Sequence, residues 1–64
     1  PWQGIVVENA PLGVRAGSVA NIFTVGINSG PLPDSALSDN GANIVLQRMT
    51  ELCDLWGEIL AARN

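Results

Sequence analysis

The 64-residue chain has no histidine, no lysine and no tyrosine, and its one cysteine is Cys53. A single thiol cannot form an internal disulfide, and without histidine it cannot build a structural zinc site. The common general bases are thereby reduced to carboxylates and that thiol. With no lysine there is no P-loop, and Gly13-x-x-x-Gly17 lacks the Gly-x-Gly-x-x-Gly order of a dinucleotide site. Three arginines (Arg15, Arg48, Arg63) stand against six acids (Glu8, Asp34, Asp39, Glu51, Asp54, Glu58), for a net charge of −3. A basic surface able to neutralise the phosphates of DNA or RNA is missing, so nucleic acid is not an expected partner. No apolar run reaches the roughly 18 residues of a membrane span. No basic stretch leads into an apolar one near the N-terminus, so no secretion signal is visible. A lone free thiol fits a reducing compartment, and a cytoplasmic location is the expectation.

Charge of either sign is scarce: 14% of residues are charged and 47% are hydrophobic. The surface of a self-sufficient small domain carries about 25–35% charged residues. A chain of about 60 residues also buries only roughly 60% of the surface its unfolded form exposes. With no disulfide or zinc to compensate, oligomerisation or a missing remainder of the protein is expected. The first residue, Pro1 rather than Met, predicts a processed or truncated product.

The apolar residues are grouped rather than scattered. Gly4-Ile5-Val6-Val7 is short, β-branched and without alternation, as strands buried on both faces are. Ile22 to Ile27 is a second such run and Asn43 to Leu46 a third. Between the first two, Asn9 and Ala10 are candidate helix N-caps, and Pro11 suits a first helical turn. Gly13, Gly17 and Ala20 share a face of that helix, either for close approach to a sheet or for phosphate binding. After the turn-rich Ser29-Gly30-Pro31-Leu32-Pro33, residues 33–40 suit a short helix ended by Gly41 in a left-handed cap. Leu52, Leu55, Trp56, Ile59 and Leu60 form the apolar stripe of a last helix, with Gly57 as an interior blemish. Trp2 and Trp56 read as packing residues. Cys53, one position off the stripe, reads as a structural thiol.

The predicted order is β-α-β-(short α)-β-α. This is an α/β chain forming part of a Rossmann-like parallel sheet. Three strands and two main helices do not close such a sheet on both faces and both edges. The first strand should be missing a neighbour and present an unpaired edge. Ligands of such sheets bind beyond the carboxyl ends of the strands, here Glu8-Asn9, Asn28-Ser29-Gly30 and Gln47-Arg48. Glu8 and Asn9 offer a carboxylate and an amide oxygen, hard ligands suited to Mg²⁺. On spacing alone the same pair more often serves a helix start, with Asn9 as the cap and Glu8 near the positive end.

The run Ile5-Val6-Val7-Glu8-Asn9-Ala10-Pro11-Leu12-Gly13-Val14-Arg15-Ala16-Gly17 resembles the fourth signature motif of the haloacid dehalogenase-like (HAD) superfamily. The branch it resembles contains β-phosphoglucomutase and related sugar-phosphate phosphatases. The likeness continues through Phe23 to Leu32, Leu37, Gly41-Ala42-Asn43 and the last strand and helix, covering nearly the whole chain. It implies that residues 1–64 are the C-terminal portion of a HAD-type core domain. The remainder of that domain, its N-terminal part, would be the partner, and a phosphorylated small molecule the substrate. It further implies a Mg²⁺-dependent phosphohydrolase or phosphomutase in which Asn9 takes the metal-binding Asp position and Glu8 the acid before it.

The chain departs from the pattern in three places. Asn9 replaces Asp and removes a negative charge from the metal site. Asn21 stands where Gly often follows the helix, and Arg48 where a small N-cap residue is common. The nucleophile-bearing Asp-x-Asp strand end, the Lys and the helical cap domain are absent, so no catalytic residue is expected here and the chain alone should be inactive. The alternative reading is a non-catalytic α/β half-domain that self-associates or binds a partner, sharing topology alone with the enzymes.

Overall fold

The computed structural model describes residues 4–62. Its elements are β1 (Ile5–Glu8), α1 (Pro11–Val19), β2 (Phe23–Ile27), α2 (Ser35–Ser38), β3 (Ile44–Leu46), α3 (Met49–Asp54) and α4 (Trp56–Ala62). The expected α/β order is present, with the last helix in two segments. The three strands form one parallel sheet in the order β1-β2-β3. Ile5 pairs with Phe23 and Glu8 with Gly26, while Val25 pairs with Ile44 and Ile27 with Leu46.

Strand alternation divides the side chains between two faces. Phe23, Val25, Ile27 and Leu46 form one face and pack with Ile59 of α4, with Ile5, Val7, Ile44 and Leu52 around them. The other face carries Val6, Thr24 and Gly26. There α1 lies close enough that a methyl on Gly17 would stand 2.5 Å from Thr24 Oγ1 and 3.3 Å from Val6 Cγ1. Leu37 of α2 lies over Gly26 in the same way, 3.0 Å from where a side chain would begin. Helices therefore cover both faces, which corrects the expectation that two main helices could not. Among the described residues both outer strands are edges: β2 is buried along its whole length, while β1 is half-buried throughout and, like β3, is hydrogen-bonded to β2 alone.

Local chemistry sets the element ends. Asn21 has φ of 60°, and the N–H groups of Asn21 and Ile22 return to the carbonyls of Ser18 and Gly17, closing α1 with a left-handed residue. Gly41, with φ of 107°, closes α2 in the same manner through Gly41 N–H to Ser38 and Ala42 N–H to Leu37. A side chain at Gly41 would also collide with that of Ser18. Asn43 begins the third strand with its side chain: Oδ1 accepts the Thr24 N–H at 2.8 Å, and its own N–H donates to the Thr24 carbonyl at 2.8 Å.

Three readings of the last helix change. The i to i−4 bonds Leu55 N–H to Glu51 and Ile59 N–H to Leu55 persist, but Leu55 itself has φ of −103° and ψ of 11°, which breaks the helix there. Ile59 and Leu52 reach the core, whereas Leu55 and Trp56 do not, and Trp56 is 42% exposed rather than packed. Cys53 is likewise exposed and has no structural burial. Trp2 and Arg63 lie outside the described residues.

The two helix glycines should respond oppositely to a methyl group. Gly17→Ala must displace Thr24 or Val6 and should cost about 1–3 kcal/mol, as overpacking does. Gly57 has open space around it, so Gly57→Ala should stabilise by about 0.5–1 kcal/mol through helix propensity. Urea midpoints of the two variants in the complete protein check this. Equal shifts of one sign would show that α1 does not approach the sheet as described.

Candidate functional site at the strand ends

Parallel pairing brings the three carboxyl ends to one rim. An open cleft of about 240 Å³ lies there, lined by Val7, Glu8, Asn9, Ile27, Ser29 and Met49. Glu8 and Asn9 end β1, Ser29 follows β2, and Met49 opens α3 after β3. The structure thus gathers Glu8, Asn9 and Ser29 from the expected positions. Gln47 and Arg48 follow β3 but do not line the cleft. Met49 was not anticipated; the available signal was its place at the start of the helix after the third strand.

Glu8 is half-buried on the sheet face that carries α1. Its side chain lies over Gly13, where an added methyl would stand 2.9 Å from Cγ and closer still to the carboxylate. Gly13 therefore keeps room for Glu8 beside the first turn of α1. This matches the expected placement of an acid near the positive helix end.

Asn9 does not do what a cap does. The residue before α1 is Ala10, extended at φ −120° and ψ 141°, and no side chain bonds into the helix start. Pro11 at the first position removes one orphan N–H outright. Asn9 is exposed and makes no side-chain hydrogen bond to another described residue. Asn9 is therefore not the helix cap, and its amide is left at the cleft with no structural task among the described residues.

The donors at the cleft are one carboxylate, one amide oxygen and one hydroxyl, all hard oxygens. Mg²⁺ takes one or two protein carboxylates and keeps several waters, so these residues fit as part of its shell. They do not complete one: among the described residues no three His, Cys, Asp or Glu side chains gather as a metal site.

A second cluster forms around Asp34. Asn28 Nδ2 donates to Asp34 Oδ1 at 2.7 Å and to the Leu32 carbonyl at 2.8 Å. Gln47 Nε2 donates to Oδ1 at 3.0 Å and to Oδ2 at 3.1 Å. The Gln47 bonds first, and the Asn28 bond second, hold the Asp34 carboxyl below the usual aspartate range, against a smaller opposing effect of burial. In the same turn, Glu51 Oε1 accepts the backbone N–H groups of Gln47 at 2.7 Å and Arg48 at 2.9 Å.

No family model and no curated protein matches the chain. Among solved structures, one named "Putative beta-phosphoglucomutase from Bacteroides vulgatus" matches with a TM-score of 0.83 and 43% identity, over 94% of this chain. The chain spans 25% of the length of that protein.

Asp34 also gives a pH signature with a definite sign. Its folded pKa is lowered, so its contribution is fully present above the unfolded value and is lost as pH falls through the folded one. Because the group is solvent-exposed, the effect is small and salt weakens it. Melting the complete protein from about pH 5 down to about pH 2 should show an acid limb that Asp34→Asn flattens. An identical acid limb in both forms would contradict the hydrogen-bonded carboxylate.

Proposed function

We propose that this chain, which belongs to the haloacid dehalogenase-like superfamily in its β-phosphoglucomutase-like branch, forms the C-terminal part of the core of a Mg²⁺-dependent phosphohydrolase or phosphomutase. The observation that carries the reading is 43% identity over 94% of the chain, with Glu8 and Asn9 falling at the strand-end cleft. The substrate is a small phosphorylated metabolite, with a sugar phosphate as the leading class. The nucleophilic Asp, the acid-base Asp and the Lys come from the N-terminal part of the domain, whose strand would lie along the open edge of β1. The 64 residues alone are inactive for want of those groups.

Asn9 and Glu8 would hold the metal, Asn9 through its amide oxygen and Glu8 through its carboxylate. When bound, Mg²⁺ neutralises phosphoryl charge and orients the group for in-line attack. The chain's own residues do the remaining work at this rim. Val7 and Ile27 give the cleft an apolar floor, Ser29 offers a hydroxyl to a phosphoryl oxygen, and Gly13 leaves Glu8 free to approach from the helix side. A neutral Asn9 in place of a carboxylate leaves the site with one negative charge fewer, so Mg²⁺ is held more weakly than by an Asp–Glu pair. The reading of a non-catalytic half-domain draws on the same open β1 edge, and the two part on whether the complete protein carries an Asp-x-Asp strand end.

Asn9→Asp in the complete protein should tighten Mg²⁺ binding by roughly tenfold, because ligand charge sets affinity at hard-oxygen sites. Calorimetric titration of both forms reads this directly. Equal affinities would remove Asn9 from the metal site.

A further inference from the structure

Two loops build the mouth of the cleft. Residues 28–34 follow β2 and place Ser29, and residues 47–48 follow β3 and lead into Met49. At their base a backbone hydrogen bond ties the first loop to the end of β3, where Asn28 N–H donates to the Leu46 carbonyl at 2.7 Å. Beyond that point, the connection between them runs through Asp34. Its carboxylate takes Asn28 Nδ2 from one loop and Gln47 Nε2 from the other. Neutral amides donating to a charged acceptor form stronger bonds than neutral pairs do.

The bland use of Asp34 would be capping, since it occupies the residue before α2, where Asp is strongly preferred. The structure does not use it so. Asp34 has helical backbone angles, φ −55° and ψ −33°, and makes no side-chain bond into α2. Its carboxylate is committed to the two loops instead. Glu51 holds the backbone N–H groups of Gln47 and Arg48, so the Gln47 side chain is presented to Asp34 from a fixed base.

We propose that Asp34 is a positioning residue of the cleft: by binding Asn28 and Gln47 together it sets Ser29 and Met49 in place across the mouth. Asp34 does not line the cleft; it acts through the two amides. Its consequence for turnover rests on the phosphoryl-transfer reading above, while its effect on the cleft wall does not.

The test uses the complete protein with Asp34→Asn, Gln47→Met, the double variant, and Asp39→Asn as a control that removes an equal charge nearby. Amide NMR signals are read for Ser29 and Met49 and for the side chains of Asn28 and Gln47. Kinetics are read with a generic aryl phosphate and Mg²⁺. Asp34→Asn should move the signals of Ser29 and Met49, while Asp39→Asn moves neither. Gln47→Met should move Ser29, on the far loop, and the double variant should move it no further than Asp34→Asn does. KM for the ester should rise about fivefold in Asp34→Asn with kcat within about twofold, the pattern of lost positioning in binding. Ser29 and Met49 signals unmoved in Asp34→Asn, or equally moved by Asp39→Asn, would overturn the proposal. If Asp34→Asn does not fold, Gln47→Met alone decides it through the Ser29 signal. Moved signals in a protein that hydrolyses no phosphate ester would sustain the positioning role and sink the phosphoryl-transfer reading instead.

Discussion

Everything at the functional end of this chain depends on β2 being paired in parallel on both sides. Parallel pairing puts the carboxyl ends of all three strands at one rim, and it requires a crossover between each pair. The first crossover is α1, which starts immediately beyond Glu8 and Asn9. The second contains α2, whose preceding residue is Asp34. The site residues and the residues that hold them are therefore products of the same topological demand.

That demand is met with little material. Five residues of β2 serve both faces of the sheet, with Phe23, Val25 and Ile27 meeting Ile59 on one side and Thr24 and Gly26 meeting α1 and α2 on the other. The second face works because its contacts are small: Gly17 against Thr24, and Gly26 against Leu37. Close approach of α1 also brings Gly13 beneath the Glu8 side chain, so the glycine spacing that packs the helix opens space for the acid.

Much of this was legible in the sequence because it rests on local chemistry. The unalternated β-branched runs gave the strands, and Pro11, Asn21 and Gly41 gave helix ends that require no knowledge of distant neighbours. The acid after the first strand placed the rim. What was not legible depends on who meets whom. The stripe through Leu52, Leu55, Trp56, Ile59 and Leu60 is a property of a straight helix, and the turn at Leu55 sends Ile59 inward while leaving Trp56 out. Asn9 looked like a cap because Asn caps well, but the chain reaches helical angles one residue later, at Pro11, with Ala10 as the boundary. The Asp34 cluster joins residues 6 and 13 positions apart, a separation that no local pattern encodes.

The proposed function requires β1 to be an interior strand of a larger sheet, whose next strand would bring further acids beside Glu8 and Asn9. Hydrogen exchange at the Ile5–Glu8 amides that face away from β2 tests it most directly. In the complete protein those amides should be protected as well as the amides of β2, and in the isolated 64-residue chain they should exchange at the rate of exposed backbone. Fast exchange at the same amides in the complete protein would make β1 a true edge, leaving no neighbouring strand to carry the nucleophile beside this rim.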